Sequence, residues 1–553
     1  MSSFTPAVRL PGADRGAALD ELRRVRRRKR LAEVHWVDAL YQAYLTALLG
    51  GVAVLLGASA IGDQALSRSA VADARADGPA IVGLVAALAL AVGLRSGSRG
   101  GPLALERADV RHVLLAPIDR GTALRPAALR QLRFGMFVGA VAGAIAGHLA
   151  ANRLPGHDSA WSAGGALGGV VVAAVAYGSA MVTSGRRVRS WMATAVWVIL
   201  LAWAVADAAG AIGFSPTSSA GALALWPLEW DPVGLAPVAV AAGLVAAGLA
   251  VIGGTSVEVA ERRSTLVGQI RFAATLQDIR TVIVLRRQLA MELPRLRPWV
   301  RVRAKGTDRF PTWTRGWRGA LRWPAARVGR TLLLAVSAGL ALRGAWEGTT
   351  PLVIVAGLAA YVVALDAVEP LAQEIDHPSR RDTLPIPAGQ LYLRQLPAAT
   401  ATMMLVGIVA AAAAVAVAPS RQAIELAAAV LVPGVLGATA AGVVSVVMGA
   451  PAASESNLLL PPEAAGMRVA GRAAWPPLLA TSGVALPLLV ARAAATGDQP
   501  TDPAQAAMAA GVGIVVLFAL VCGWVRAREH IKAWWAAQVE QMVPAKSRQA
   551  ASG

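Results

Sequence analysis

Long apolar segments recur along the whole chain, and this recurrence constrains the fold more than any other feature. About twelve are present, each close to the roughly 20 apolar residues that a helix needs to cross a bilayer. The segments are rich in Ala, Gly, Leu and Val, and small residues let helices pack closely in lipid. Short alternating strands, which would indicate a β-barrel, are not seen. We therefore predict an all-α, polytopic membrane protein.

The predicted spans fall into two sets of six. They cover residues 36–61, 79–95, 134–152, 162–184, 190–212 and 236–254, then 329–345, 350–367, 397–418, 423–449, 475–493 and 504–525. The composition agrees with this assignment, because 56% of the 553 residues are hydrophobic and only 16% are charged, against about 25% charged residues in soluble proteins. We interpret the glycine-rich stretches 140–147 and 164–169 as helix-packing surfaces.

The basic residues predict the orientation in the membrane, since cytoplasmic loops carry an excess of Arg and Lys. If the N-terminus lies inside, only six of the 53 basic residues fall in outside segments: Arg68, Arg75, Arg153, Arg343, Arg421 and Arg492. Moving the pattern by one span would destroy this division. We therefore expect a multi-pass protein of the bacterial cytoplasmic membrane with both termini in the cytoplasm.

An internal repeat is indicated by short matches that occur in the same order in both halves. The matched pairs are Leu19–Val25 with Leu276–Val282, Pro117-Ile118 with Pro385-Ile386, Gly121 with Gly389, and Leu129–Leu132 with Leu393–Leu396. Six crossings in each half would relate the copies by an axis near the membrane normal. The predicted domains are a first six-span half with an N-terminal amphipathic helix (1–254), a basic linker with a second amphipathic helix (255–328), a second six-span half (329–527), and a C-terminal helix and tail (528–553).

Several function classes can be set aside. The net charge of +20 does not indicate nucleic acid as a partner, because the basic residues lie at helix ends and not on one soluble domain. Cys522 is the only cysteine, so a disulfide within the chain is excluded. No lysine follows a glycine-rich loop and precedes Ser or Thr, as a nucleotide-binding P-loop requires. No metal-binding motif is present. In the linker, tryptophans among arginines favour the membrane surface, with a soluble partner as the alternative.

The segments after the second and eighth spans share a layout of acidic residues, a proline turn and a helix that enters the next span. The turns read Leu115-Ala116-Pro117-Ile118-Asp119-Arg120 and Leu384-Pro385-Ile386-Pro387. A basic amphipathic helix is also predicted before the first span of each half. Together these features resemble the membrane subunit of ABC-2-type exporters, with two six-span units fused in one chain. Pro387 and Ala388 depart from the pattern, because they replace the charged pair Asp119-Arg120.

The resemblance implies that the chain is a transport subunit and not an enzyme. A separate ATPase, present in two copies, would drive it and would bind the ATP and Mg²⁺. The resemblance places the ATPase on loops 101–133 and 368–396. The residues implied in docking are Glu106, Asp109, Pro117, Ile118, Arg120, Glu374, Asp376, Pro385 and Ile386. Apolar spans with few charges suit a hydrophobic or amphipathic cargo, such as a small molecule, a lipid or a peptide.

Two other functions stay open. A twelve-span secondary transporter would need a coupling charge deep in the bundle. Asp38, His148, Asp207, Asp366 and Glu425 are the ionisable candidates, and of these His148 and Asp207 are predicted to line a translocation path. A membrane enzyme acting on lipid-linked sugars would need acidic residues outside, where Asp63, Asp73 and Asp77 lie.

Overall fold

The computed structural model describes most of the chain between residues 66 and 542. The described residues are 21, 24, 25 and 28, then 66–103, 105, 109–116, 118–258, 260–261, 264, 297–300, 311–381, 383, 385–448, 462–497 and 499–542. Regular structure within these ranges is helical, without a strand. The chain divides into two compact units, Met1–Thr275 and Leu276–Gly553.

Among the described residues of the first unit, five long helices and two short ones are defined. They are α1 (Arg68–Ala76), α2 (Gly78–Ser98), α3 (Arg120–Ala151), α4 (Asp158–Gly185), α5 (Ser190–Ala208), α6 (Ser218–Ala224) and α7 (Ala236–Val251). A π-helical turn, Asp109–Val113, lies between α2 and α3, and 3-10 turns flank α7 at Pro232–Leu235 and Ile252–Gly254. The helices α2 and α4 pack on each other, and α4 also packs on α3 and α7.

Among the described residues of the second unit, six long helices and three short ones are defined. They are α8 (Pro311–Ala320), α9 (Ala325–Trp346), α10 (Leu352–Ala367), α11 (Glu369–Asp376), α12 (Pro378–Arg381), α13 (Ala388–Val417), α14 (Arg421–Met448), α15 (Pro462–Thr496) and α16 (Pro503–Met542). The helix α14 is the central one, since it packs against α10, α13, α15 and α16.

Ten helices in the described ranges are long and apolar enough to cross a membrane. The count is eleven if α10 and α11, which meet at a bend of 55°, form one span. These helices make the chain an all-α, multi-pass membrane protein, as predicted. The first predicted span, 36–61, and most of both basic pre-span segments lie outside the described residues, so the count of twelve and the division into two repeats stay predictions.

Glycines bring α3 and α4 into backbone contact, which confirms the packing interpretation of these stretches. A Cβ atom at Gly143 would collide with the carbonyl oxygen of Gly165, and one at Gly139 would collide with that of Gly169. One turn further along α3, Gly147 lies equally close to the backbone of Trp161. The spacing of four residues places these glycines on one face of the helix, so the two helices are in close contact over several turns.

Candidate functional site

The segment between α2 and α3 carries the first predicted docking residues, and it lies folded against its own unit. Leu103, Leu105, Val110 and Leu114 are buried in one cluster with the start of α3, with Met181 of α4 and with Ile252 after α7. The other side of the segment faces outward, where Leu115 is 67% exposed. The segment therefore contacts three membrane helices and presents an apolar side chain on its outer surface.

The predicted residues of this segment have different environments. Ile118 is half-buried and packs at the edge of the same cluster. Arg120 is exposed at the first position of α3, and Asp109 begins the π-helical turn. Glu106 and Pro117 lie outside the described residues.

Asp119 fixes the start of α3 as its N-cap. Its carboxylate accepts hydrogen bonds from the Thr122 backbone N–H at 2.7 Å and from the Thr122 hydroxyl at 2.9 Å. The backbone hydrogen bond of Thr122, followed by that of its side chain, lowers the pKa of the Asp119 carboxyl group, because both stabilise the charged form. In the second unit Pro387 occupies the N-cap of α13 and supplies no side-chain hydrogen bond.

The corresponding segment of the second unit packs in an equivalent way. Val368, Leu371 and Ala372 are buried in a cluster with the start of α13 (Tyr392, Leu396, Ala399), with the end of α14 (Val443, Val446, Val447) and with Val525 of α16. In both units the segment after the second predicted span thus rests on the helices predicted as third, fourth and sixth spans. A close approach repeats too: a Cβ atom at Gly389 would lie 2.6 Å from the carbonyl oxygen of Arg526, and Gly253 lies against the backbone of Gly121.

Within this second segment the predicted docking residues are unequally exposed. Pro385 is exposed, Ile386 and Asp376 are half-buried, and Glu374 is only 1% exposed. The carboxylate of Glu374 forms an ion pair with Arg315 of α8. Its second oxygen, Oε2, is buried without a hydrogen-bond partner. Glu374 therefore holds α11 to α8, and Pro385 offers the accessible surface.

A layer of ion pairs adjoins this segment. Arg327 pairs with Asp366, at 3.3 Å between Nη2 and Oδ1, and with Glu369. Arg330 pairs with Asp366 as well, and the guanidinium group of Arg327 lies 4.4 Å from the centre of the Trp323 ring. Asp366, one of the ionisable candidates from the sequence, is thus neutralised by two arginines at a helix end. Sequence reasoning missed Arg315, Arg327 and Arg330, because nothing in their spacing separates them from the other basic residues.

His148 and Asp207, the predicted path residues, lie in the first unit on α3 and α5. His148 is half-buried. Asp207 is 8% exposed, and its Oδ2 atom is buried without a hydrogen-bond partner. The hydrogen bonds described for this unit include none that joins the two side chains. Glu425, another ionisable candidate, pairs with Arg421 at 2.8 Å and is half-exposed at the start of α14, whereas Asp38 lies outside the described residues.

A cavity of about 230 Å³ lies inside the second unit, between α9, α10, α13, α14 and α15. Its walls are almost entirely aliphatic, and neither His148 nor Asp207 lines it. Across the described ranges, no group of three or more His, Cys, Asp or Glu side chains is placed to hold a metal ion.

No protein-family model matches the chain, and no curated protein or solved structure matches it either. The fold and its apolar helices define the class, which is that of a multi-pass helical membrane protein.

Proposed function

We propose that the chain is the membrane subunit of an ABC transporter and exports a hydrophobic or amphipathic substrate, driven by a separate ATPase. One observation supports this most. In each unit the segment after the second predicted span packs on the helices predicted as third, fourth and sixth spans. A partner that binds this segment from outside would therefore displace several membrane helices together.

The packing suggests how ATP could drive transport. Closely packed interiors do not deform continuously, so a push on a well-packed segment moves helices as rigid bodies. Two ATPase copies, one on loop 101–133 and one on loop 368–396, would close on ATP binding. This closure would shift the equilibrium of the membrane helices between an inward-open and an outward-open arrangement. ATP and Mg²⁺ would be bound by the partner.

Leu115 offers the sharpest test of docking. A leucine that is 67% exposed on a predicted docking segment is a candidate anchor, whose removal costs about 2 kcal/mol or more at a hot spot. The experiment isolates the tagged full-length chain from its native membrane in mild detergent and measures bound ATPase. Leu115→Asp should reduce the captured ATPase roughly thirty-fold, as such a loss of affinity implies.

Leu235→Asp is the matched control, because Leu235 is a half-exposed leucine in a segment predicted to lie outside the cell. It should leave capture unchanged. A wild-type preparation without any ATPase subunit would contradict the proposal. Equal loss in both leucine variants would assign the effect to folding and not to docking.

A proton-driven secondary transporter is the second candidate, and Asp207 favours it. A buried carboxylate with an oxygen that lacks a hydrogen-bond partner is costly in a membrane and is by default a functional site. In vesicles of the purified chain without ATPase, an imposed pH gradient should then drive substrate movement, and Asp207→Asn should abolish it. Transport that needs ATP and survives Asp207→Asn would exclude this candidate.

A further inference from the structure

The cavity of the second unit is an elongated groove that runs along the helices. Its lining on α9 extends from Leu334 to Trp346, and its lining on α13 extends from Met403 to Val415. Twelve residues of helix measure about 18 Å. The hydrocarbon part of one leaflet is about 15 Å thick, half of the roughly 30 Å core. The groove thus has the length of one acyl chain of a membrane lipid.

The chemistry of the lining changes along this length. The part between Leu334, Met403 and Val435 contains only apolar side chains, mostly alanine, valine and leucine. Charged or amide- and hydroxyl-bearing side chains occur only at the other end, where Arg343, Ser420 and Gln422 line the groove. An occupant must therefore be a long apolar chain with a polar group at one end.

Arg343 indicates what this polar group is. It forms an ion pair with Glu347, at 2.6 Å between Nε and Oε1. The other four N–H donors of its guanidinium group lie in a fork that matches phosphate. Ser420 and Gln422 add donors that suit phosphate and ester oxygens. A large apolar cavity excludes water and takes apolar ligands, and this one far exceeds the ~10–15 Å³ that one water needs.

We propose that the groove of the second unit binds a membrane phospholipid, with one acyl chain between α9, α13 and α14 and with the phosphate at Arg343. In the first unit, glycines hold the backbones of α3 and α4 in contact. This assignment goes beyond the proposed transport function and does not depend on an ATPase.

Photolabelling of the full-length chain tests the site directly. The purified protein in detergent receives phosphatidylglycerol that carries a photoactivatable diazirine on one acyl chain, and mass spectrometry locates the labelled residues. Wild-type protein should be labelled on the groove faces of α9, α13 and α14, and unlabelled phosphatidylglycerol should compete.

Two alanines of α13 form a matched pair. Ala411 lines the groove, and its neighbour Ala412 is exposed on the outer surface. Ala411→Phe should reduce labelling of the groove about tenfold, since the ring fills space that the chain needs, and Ala412→Phe should leave it unchanged. Arg343→Gln should weaken labelling by phosphatidylglycerol but not by a photoactivatable alkane without a headgroup.

Three results would overturn the proposal. They are equal groove labelling in the Ala411 and Ala412 variants, label confined to the outer face of α13, and label that unlabelled lipid does not displace. If Ala411→Phe does not give a folded protein, Ala427→Phe replaces it in the labelling experiment, because Ala427 lines the groove from α14. The labelling experiment contains no ATPase, so a negative result would not contradict the ATPase docking proposal. In the same way, failure to capture an ATPase would not contradict lipid binding in the groove.

Discussion

The ion pair between Arg315 and Glu374 shows how one residue can decide where a segment lies. A carboxylate that is 1% exposed is stable as a charge only when a cation and hydrogen bonds compensate it. Arg315 supplies the cation from α8. The ten residues of this helix include two arginines and two tryptophans, a composition that by itself indicates only an interfacial segment. The pair ties this surface helix to the predicted docking segment.

Arg315→Ala should therefore destabilise the protein by about 2 kcal/mol, because it leaves the Glu374 carboxylate buried without its partner. The value lies below the usual cost for a fully buried pair, because the Arg315 side chain is 36% exposed and solvent screens it. Thermal unfolding of the full chain in detergent measures the change. The double variant Arg315→Ala with Glu374→Gln should recover part of the loss, and Arg318→Ala on the same helix is the control.

The lowered pKa of Asp119 leads us to expect that the stability of the protein depends on pH. The pKa of this carboxyl group is lowered below the ordinary value of 3.8 by the hydrogen bonds from Thr122, so the charged carboxylate contributes stability above that value. This contribution is lost as the pH falls through the lowered pKa. Asp119→Ala should lower the melting temperature at pH 7, and the difference from wild type should shrink below pH 3.8. A difference that stays constant over this range would contradict a role for the charge.

For single residues, the sequence predicted which residue types could take part in docking, but it did not predict which of them are buried. Glu374 and Pro385 were equivalent in the predicted docking set, yet one is buried and the other exposed. Exposure depends on which neighbouring helix covers a residue. A single sequence does not contain this information for a segment as short as α11.

The long helices were the most predictable elements. Eleven of the twelve predicted spans correspond to described helices, because a continuous apolar run in lipid must form a helix to satisfy its backbone. The helices of the third and ninth spans begin earlier than predicted, at Arg120 and Ala388 and not near 134 and 397. Their first turns carry exposed polar residues such as Arg125, Arg130 and Arg394, so hydropathy detects only the apolar remainder.

The contact between α3 and α4 predicts an asymmetric response to substitution. Gly143→Leu should prevent the two backbones from meeting and should destabilise the protein by at least about 1–3 kcal/mol, the usual cost of overpacking. Gly243→Ala is the control, because a Cβ atom at Gly243 of α7 meets nothing within 4 Å. It should be neutral or slightly stabilising, by ~0.5–1 kcal/mol. Melting temperature and monodispersity in detergent distinguish the two, and equal effects would contradict backbone contact as the cause.

Element pairs also explain why the groove was not predicted. Both units have alanine- and glycine-rich helices at the positions of the third and fourth spans, and composition alone makes these pairs look alike. In α3 and α4 the glycines face each other. In α13 and α14 the facing residues include Leu431 and Val435 against Gly407, and larger side chains keep the backbones apart. Which faces meet is a property of the assembled bundle.

At the scale of the whole molecule, the equivalent clusters after the second predicted span of each unit support the internal repeat that the sequence indicated. Among the matched pairs of the repeat, Gly121 and Gly389 are both buried. The matched leucines Leu132 and Leu396 are both 5% exposed, and their preceding arginines, Arg130 and Arg394, are both exposed. The division into two repeats stays a prediction, because the first predicted span and most of both pre-span segments lie outside the described residues.

The orientation of the whole chain is the last prediction, and it rests on the distribution of basic residues. In a Cys522→Ala background, single cysteines would report the side on which each loop lies. Ser69→Cys and Ser420→Cys should react with a membrane-impermeant maleimide in intact cells, because both residues are exposed in segments predicted outside. Ser190→Cys, also exposed, should react only after permeabilisation, since it follows Arg186, Arg187 and Arg189 on the predicted inner side.

The structure adds a constraint to this test, because cysteines in loops at the same end of a unit must show the same accessibility to the maleimide. The backbone N–H of Leu66 donates to the carbonyl oxygen of Arg153 at 3.1 Å, so the loops before α2 and after α3 lie at one end of the first unit. An added Asp158→Cys variant must therefore behave like Ser69→Cys. If Ser190→Cys reacted in intact cells while the other positions did not, the whole topology would be inverted. The segments 101–133 and 368–396 would then face away from the cytoplasm, where no ATPase could reach them.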